Sequence, residues 1–216
     1  MCSSDLWEDP YRTIAATTIA SVNGDIVTVA ETVFYAESGG QESDRGTIGG
    51  YVVLEARKDG TAIYYRLPPE HGLAVGQAVD IEIDWERRYR LMRLHFAAEV
   101  VLELVYRDYG PVEKTGAHIA EDKARIDFAW DGSIGSILPD LQTRAQAIVD
   151  ADQPITSAYS DRVAERRYWQ IEEFAKVPCG GTHLKRTGEV GTIKLKRRNP
   201  GKGRERIEIT VDGSPT

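Results

Sequence analysis

The first 85 residues of the chain alternate between apolar and polar positions in short segments that are separated by turn-forming pairs. β-branched residues are dense on both sides of Asn23-Gly24, and the same plan recurs around Asp59-Gly60. An Asn-Gly or Asp-Gly pair between alternating segments is typical of a tight β-hairpin. Several short strands joined in this way favour a small β-barrel. We predict strands over residues 13–22, 25–34, 48–57, 62–67 and 79–84.

Near residue 85 the spacing of apolar residues changes from every second position, as in a strand, to that of a helix. Residues 86–106 contain no Gly or Pro, their apolar side chains recur at helical spacing, and Gly110-Pro111 follows as a stop. Further on, the pattern predicts strands over 123–128, 155–159, 190–196 and 206–211, a helix over 139–150 and a polar helical turn over 161–169. The sequence therefore predicts an α+β protein, with a β-barrel domain over residues 1–85 and a mixed domain over 86–216.

Composition narrows the class of protein. The hydrophobic content of 41% is enough for a core, and no apolar run approaches the roughly 18 residues that a membrane span needs. Cys2 and Cys179 stand far apart and suggest no disulfide framework, which favours a reducing, cytoplasmic location. The net charge of −7 argues against a general nucleic-acid coat protein.

The charge is unevenly distributed along the chain. Between Lys185 and Arg206 there are nine basic residues and two acidic ones, a surplus of seven positive charges. Such a segment is either a solvated, lysine-rich edge hairpin or a binding surface for phosphates. The basic residues that we single out are Lys194, Lys196, Arg197, Arg198, Lys202 and Arg204.

Two pairs of metal-ligand side chains share one spacing. His95 and Glu99 are four residues apart on the predicted helix, which places them on the same face about 6 Å apart. Cys179 and His183 have the same offset within VPCGGTHLKRTG, where glycines 180 and 181 let the backbone turn tightly. Each residue alone has an ordinary structural interpretation, such as a buried histidine or a small buried cysteine. Together they supply two nitrogens, a sulfur and a carboxylate oxygen, a donor set that suits zinc.

The motif CGGTH, placed after a helix with an H-x-x-x motif, resembles the editing domain shared by alanyl-tRNA synthetases, threonyl-tRNA synthetases and the free-standing AlaX proteins. FYAESGGQESDRGTI (34–48) resembles the glycine-rich segment of the alanyl-type editing proteins. IAEDKARIDF (119–128) and HLKRTGEVGTIKLKRR (183–198) resemble later parts of that domain. The resemblance extends from about residue 13 to 212, and the chain length is similar to that of the medium-length AlaX class.

The resemblance implies a small N-terminal β-barrel followed by an α+β tRNA-editing domain with a mostly antiparallel sheet. It also implies a metal-dependent deacylase that holds one Zn²⁺ per chain, binds the acceptor end of tRNA(Ala) and hydrolyses its mischarged aminoacyl ester, above all Ser-tRNA(Ala). Neither DNA nor a membrane is an expected partner, and the protein would be a monomer or a dimer. The ion would either activate the attacking water or hold the amino group of the substrate.

The family's metal ligands carry over to His95, Cys179 and His183, whereas Glu99 stands where the family has a second histidine. Glu99 either ligates the ion, acts as a catalytic base towards a water, or marks a degenerate site. We favour ligation, because the position on the helix is unchanged and the carboxylate charge compensates the cation.

Other residues gain a role through the same resemblance. Gly39, Gly40 and Gln41 would approach the aminoacyl group, although a tight turn alone also explains them. Thr182, a candidate catalytic residue together with Glu99, would read a serine hydroxyl or be purely structural. The six singled-out basic residues would hold acceptor-stem phosphates.

Four arginines in the first turns of the predicted helix that carries His95 and Glu99 also fit two interpretations. They either extend the tRNA surface or keep the helix soluble, and we favour solubility for at least two of them. The four are Arg87, Arg88, Arg90 and Arg93.

Two other functions remain compatible with the sequence. One is a tRNA-binding module that has lost catalysis through the change at Glu99. The other is a metal hydrolase of a different small ester or amide on the same fold. The sequence does not distinguish a preference for serine from one for glycine.

Overall fold

The computed structural model describes residues 3–164, 166–201 and 203–213, the first three as backbone only. The predicted fold class is confirmed: the chain is α+β, its sheets are mostly antiparallel, and the described residues include two α-helices. Contacts divide the chain into two compact units, one that runs to Ser38 and resumes over Glu42–Tyr89, and one made of Gly39–Gln41 and the residues from Arg90 onward. The domain boundary near residue 85 stays a prediction. Among the described residues, no helix is both long and apolar enough to cross a bilayer.

The first unit is a curled antiparallel sheet shaped like half a barrel. Seven strands follow the order β6-β5-β9-β2-β3-β8-β7. Strand β2 pairs with β9 in its first half and with β3 in its second, where the register shifts between Ile19 and Ser21. The unit's strands are β1 (Ser3–Ser4), β2 (Ile14–Asn23), β3 (Ile26–Val29), β4 (Glu31–Thr32), β5 (Gly46–Ile48), β6 (Tyr51–Val52), β7 (Glu55–Asp59), β8 (Ala62–Arg66) and β9 (Ala78–Ile83).

The hairpins predicted at Asn23-Gly24 and Asp59-Gly60 are confirmed, since β2 pairs with β3 and β7 with β8. The single strand predicted over 48–57 is wrong. Gly49 and Gly50 have φ of 57° and 82°, a left-handed conformation that glycine adopts readily, and they turn the chain between β5 and β6.

A fully buried ion pair joins distant parts of this unit. The guanidinium of Arg88 is 0% exposed and donates from Nε to Asp44 Oδ1 (2.7 Å), with a second hydrogen bond from Nη2 to Oδ2. Arg88 also donates to the carbonyls of Val33 (2.6 Å) and Pro10 (3.0 Å), while Asp44 accepts from the amide of Tyr35 (2.6 Å). Backbone groups of the same unit therefore satisfy the hydrogen bonds that this buried ion pair does not make internally.

The second unit contains both helices and two further sheets. Four strands follow the order β10-β11-β16-β15, and three follow the order β12-β13-β14. Its elements are α1 (Trp85–Tyr109, which begins in the first unit), β10 (Lys114–Ile119), β11 (Ala124–Ala129), α2 (Leu138–Asp150), β12 (Thr156–Asp161), β13 (Arg166–Ile171), β14 (Ala175–Pro178), β15 (Thr192–Gly201) and β16 (Arg204–Asp212).

Helix α2 packs against the edge strand β15 and pairs with its backbone. The side-chain oxygens of Gln142 and Gln146, one turn apart, accept hydrogen bonds from the amides of Leu195 and Ile193, each at 2.8 Å. An edge strand otherwise presents unpaired amides that invite pairing with another chain. The two glutamines close this edge.

Helix α1 is buried almost completely over its central turns. From Leu91 to Val101 every residue is buried except Glu99, which is partly exposed. A helix that is apolar on all sides belongs to the interior of a domain. The partly exposed carboxylate in this stretch is therefore the position that needs an explanation.

Both interpretations of the four arginines that precede His95 on α1 are wrong for three of them. Arg87, Arg88 and Arg93 are buried, so they neither face a tRNA nor solubilise the helix. Arg93, for example, donates to the carbonyls of Val190 and Asp212, each at 3.0 Å, because buried carbonyl oxygens need donors.

The polar helical turn predicted over 161–169 is also wrong, because most of its second half belongs to β13. The strand alternates between buried residues (Arg167, Trp169, Ile171) and more exposed ones, and it pairs with β12 and β14. The many charged residues masked this period of two.

We predict that Arg88→Met destabilises the protein by about 3–5 kcal/mol, because it leaves the carboxylate of Asp44 buried without its cation. The measurement is urea unfolding monitored by circular dichroism. Arg66→Met is the control, since the Arg66–Glu55 pair is about half exposed and should contribute less than about 1 kcal/mol. Equal urea midpoints for the two variants would show that the buried ion pair stabilises the protein no more than the exposed one.

Candidate metal centre

Four side chains meet beside the middle of α1. His95 and Glu99 project from consecutive turns of the helix, and Cys179 and His183 come from the loop that follows β14. One donor atom from each residue lies within 4.8 Å of all the others. Among the described residues this is the one group of His, Cys, Asp and Glu side chains arranged to hold a metal ion.

Three of the distances between the donor atoms are compatible with a tetrahedral ion. His95 Nε2 lies 3.3 Å from Cys179 Sγ and 3.4 Å from Glu99 Oε1, and His183 Nε2 lies 3.8 Å from Glu99 Oε2. In a tetrahedral zinc site with bonds of about 2.0–2.3 Å, donor atoms are roughly 3.3–3.8 Å apart. Glu99 Oε2 and His183 Nε2 are also buried without a hydrogen-bond partner among the described residues. Buried polar atoms normally have partners, so these two suit a cation.

The electrostatics of the cluster favour a positive charge at its centre. Burial lowers the pKa of His95, but Glu99 and Cys179 outweigh it and raise the pKa to about 10. Burial and the charge of His95 lower the pKa of His183 to about 3. Burial raises the pKa of Glu99, and the neighbouring His95 more than reverses this, so the net shift is downward. The carboxylate and the thiol together favour one cation among the four groups.

The backbone of the CGGTH loop lies directly against the ring of His95. A Cβ on Gly181 would come within 2.3 Å of His95 Cε1, a contact that real structures do not show, whereas a Cβ on Gly180 would meet nothing within 4 Å. The second glycine of the motif is therefore required by the close approach, and the first is not. The amide of Gly181 also donates to Cys179 Sγ (3.3 Å).

Arg167 holds the same loop from the other side. Its carbonyl accepts from the amide of Cys179 (3.0 Å), and its guanidinium Nη1 donates to the carbonyl of Gly181 (3.2 Å). The side chain is 6% exposed and its guanidinium carbon lies 5.6 Å from the ring centre of Tyr159. Burial lowers the pKa of Arg167, while Tyr159 and Cys179 act in the opposite direction. Arg167 thus fixes both ends of the Cys179–Gly181 segment, one through its backbone carbonyl and the other through its buried guanidinium.

Ser157 orients the second histidine. Its Oγ lies 3.1 Å from His183 Nδ1. Ser157 is the second residue of β12, which pairs with β13. When the Nδ1 of a histidine is held by such a partner, its Nε2 is free to face a metal. His183 Nε2 is the nitrogen that points towards Glu99.

Residues Gly39–Gln41 of the glycine-rich segment belong to the same unit as these four side chains. The carbonyl of Gly40 accepts from the amide of Ile119 (2.8 Å), and a Cβ on Gly40 would lie 2.7 Å from the carbonyl oxygen of Ala117. Gln41 is 0% exposed and donates from Nε2 to Thr182 Oγ1 (3.2 Å). Its Oε1 is buried and has no hydrogen-bond partner among the described residues. The structure thus brings Gln41 to Thr182, between Gly181 and His183, whereas Gly39 is exposed.

The predicted tRNA-binding residues that the structure describes lie on β15 and β16. Lys194, Lys196, Arg197, Arg198 and Arg204 are exposed, and Arg197 is also bound to the buried Glu205 (2.5 and 2.7 Å). The side chain of Lys202 lies outside the described residues.

Comparison with known proteins assigns the chain to a family. Residues 167–208 match the threonyl and alanyl tRNA synthetase second additional domain. The alanyl-tRNA editing protein AlaX-M of Pyrococcus horikoshii is 32% identical over 95% of this chain and 96% of its own length. The chain belongs to the AlaX-M family of alanyl-tRNA editing proteins. The AlaX-M protein of Saccharolobus solfataricus is also 32% identical, over 89% of this chain and 92% of that protein, and alanine–tRNA ligase of Methanopyrus kandleri is 37% identical, over 88% of this chain and 23% of the ligase.

Membership of the AlaX-M family sharpens the question of Glu99, because the resemblance led us to expect a histidine there. The carboxylate lies between the two histidine rings, where a ligand would be. Its assignment as a ligand remains a prediction, as do the assignments of His95, Cys179 and His183.

Sequence reasoning missed Arg167 and Ser157. The alternating pattern of β13 could have marked Arg167 as an inward-facing residue, but it was hidden by the neighbouring charges. Nothing in the sequence distinguishes Ser157 from Ser160, the other serine of its strand.

We predict that Ser157→Ala weakens metal binding about 10- to 100-fold, because the imidazole of His183 loses the partner that orients it. Competition with a chelating indicator measures the dissociation constant. Ser160→Ala is the control, since Ser160 lies on the same strand and donates to the carbonyl of Arg166 instead. Equal affinities for both variants would show that Ser157 does not orient the ligand.

We also predict that Arg167→Lys weakens metal binding by roughly tenfold. Lysine keeps the charge but lacks the planar guanidinium that reaches the carbonyl of Gly181. The same competition assay applies, with Arg166→Lys, an exposed neighbour, as the control. An unchanged affinity in Arg167→Lys would mean that charge alone, and not the held loop, matters.

Proposed function

We propose that the protein is a trans-editing deacylase that hydrolyses the ester of Ser-tRNA(Ala). The observation that carries the proposal is the juxtaposition of a metal-ligand cluster with the buried Gln41–Thr182 pair, in a chain of the AlaX-M family. A single ion and a polar side chain beside it are what the hydrolysis of a small aminoacyl ester requires. The relatives named above support the choice of tRNA(Ala) as the substrate.

Gln41 supports serine as the amino acid that is removed. Its Oε1 is a buried acceptor without a donor among the described residues, and serine carries a hydroxyl that can donate to it. Alanine would leave this acceptor unpaired, at a cost that discriminates strongly between the two amino acids. Thr182 holds Gln41 through Nε2 and so fixes the direction of the free oxygen.

The four ligands would hold a divalent cation, and zinc suits the set of two imidazoles, one thiolate and one carboxylate. When bound, the ion supplies Lewis acidity at the aminoacyl ester. Two anionic donors, Cys179 and Glu99, balance the charge of Zn²⁺ and lower its acidity relative to a site with three imidazoles. Arg167 adds a positive charge behind Cys179 and opposes this loss. The chain's own residues thus position the substrate and tune the ion.

The proposed partner is the acceptor end of tRNA(Ala), and basic residues of β15 and β16 are available for its phosphates. An enzyme with this substrate would work in the cytoplasm, as a monomer or a dimer. A second candidate is a tRNA-binding module without catalysis. The observation that favours it is Glu99 itself, which replaces the expected histidine.

The test compares native protein with Glu99→Ala, Cys179→Ala and Glu103→Ala. We expect about one zinc per native chain by elemental analysis, and loss of both zinc and Ser-tRNA(Ala) hydrolysis in the Glu99 and Cys179 variants. Glu103→Ala is the matched control, because Glu103 is a partly buried carboxylate one turn further along α1, outside the cluster.

Each result has a defined meaning. Zinc retained in Glu99→Ala would make Glu99 a base or a bystander, while the other three ligands hold the ion. Hydrolysis retained in Cys179→Ala would contradict a metal-dependent mechanism. Native protein that binds tRNA without zinc and without turnover would establish the binding module.

A further inference from the structure

The sheet β10-β11-β16-β15 has two different faces. Its inner face carries buried apolar residues such as Ile126, Phe128, Ile207 and Ile209. Positions of the opposite parity face outward, because successive side chains alternate across a strand. Register confirms the outward rows: Glu208 pairs with Lys196 on one side and Arg125 on the other, and Arg206 pairs with Arg198 and Asp127.

This outward surface, the basic sheet face, is strongly cationic. It carries seven basic residues and three acidic ones, a surplus of four positive charges in a chain whose net charge is −7. Lys194, Lys123 and Arg198 keep 61%, 45% and 55% of their side chains exposed. The basic sheet face consists of Lys123, Arg125, Lys194, Lys196, Arg198, Arg204 and Arg206, with Asp127, Glu208 and Asp212.

Two of the acids hold basic side chains in place without neutralising them. Asp127 accepts from Arg206 Nε (2.6 Å) and Nη2 (3.0 Å) and also from Arg125. Glu208 accepts from Arg198 Nε (3.0 Å) and Lys123 Nζ (3.4 Å). Since each carboxylate is shared by two cations, one positive charge remains at each pair. Side chains fixed in this way lose less entropy when they bind a ligand.

We propose that the basic sheet face is the docking surface for the acceptor-stem duplex of the tRNA, which it holds through backbone phosphates. The proposal rests on the proposed function and adds Lys123, Arg125 and Arg206 to the residues that the sequence singled out. It excludes Arg197, which lies on the other face and is bound to Glu205, itself 2% exposed. Cationic side chains arranged across a sheet position RNA without reading its sequence.

The location of this face relative to the Gln41–Thr182 pair fits the proposal. Strand β10 borders the sheet, and its last residue, Ile119, pairs with Gln41 and binds the carbonyl of Gly40. From β15 to β10 there are three steps between neighbouring strands, about 14 Å in all. An unpaired 3′ end of a few nucleotides is long enough to pass from a duplex on this face to Gln41.

The test measures binding of an acceptor-stem RNA minihelix by fluorescence anisotropy, for native protein and for Lys196→Glu and Lys123→Glu, which alter the basic sheet face on opposite sides of β16. We expect each variant to bind on the order of tenfold more weakly at 0.1 M salt. The slope of log binding constant against log salt concentration should fall in magnitude by about one, because one phosphate contact is lost. Arg57→Glu makes the same charge change at an exposed residue of β7 and should bind like the native protein. Unchanged metal content in all variants shows that the site is intact.

The outcomes separate the surface from the function. Native protein that hydrolyses Ser-tRNA(Ala) while both variants bind RNA normally would overturn the docking surface and leave the deacylase standing. An equal loss in Arg57→Glu would overturn it too, because net charge alone would explain the effect. A DNA hairpin of the same sequence that binds equally well would replace the acceptor stem by any duplex phosphate backbone. Native protein that binds no RNA would overturn both proposals.

Discussion

The structure of the second unit depends on a carboxylate within a helical stretch whose other residues are buried. Glu99 is the residue of the Leu91–Val101 stretch that is not fully buried, and two imidazoles and a thiol surround it. A charge in such a place is costly unless a compensating charge is bound beside it. Within the chain that compensation comes from His95, and a divalent cation would supply it more completely. A cation bound at the cluster would therefore stabilise this part of α1.

The surrounding structure serves this cluster from several directions. Arg167 and Gly181 bring Cys179 to the ring of His95, the first through hydrogen bonds and the second through its lack of a side chain. Ser157 sets the direction of His183. Ligand positions that are fixed in advance reduce the entropy lost on binding, and they also restrict which ions fit. The AlaX-M fold thus determines the site through backbone contacts as much as through its ligands.

Part of this could be predicted from local sequence, because some interactions are local. The Asn23-Gly24 turn, the long helix α1 and the equal spacing of the two ligand pairs each depend on residues close together in the chain. The contact of Gln41 with Thr182 spans 141 residues, and that of Arg167 with Gly181 depends on how β13 pairs with β14. Such contacts follow from tertiary packing, which no periodicity encodes. For the same reason, the buried arginines of α1 looked like a solvated face.

The hairpin of β15 and β16 shows why a count of charges along the sequence does not define a charged surface. Adjacent residues of a strand face opposite sides, so Arg197 and Arg198 have different partners although both are arginines in one basic run. Conversely, Arg125 and Lys196 are far apart in sequence and lie in one row, because β16 separates their strands and both pair with Glu208. A polyanion responds to the charges on one face, including the acids that hold them in place. Sheet register, and not the sequence of charges, therefore decides which cations can act together on an RNA backbone.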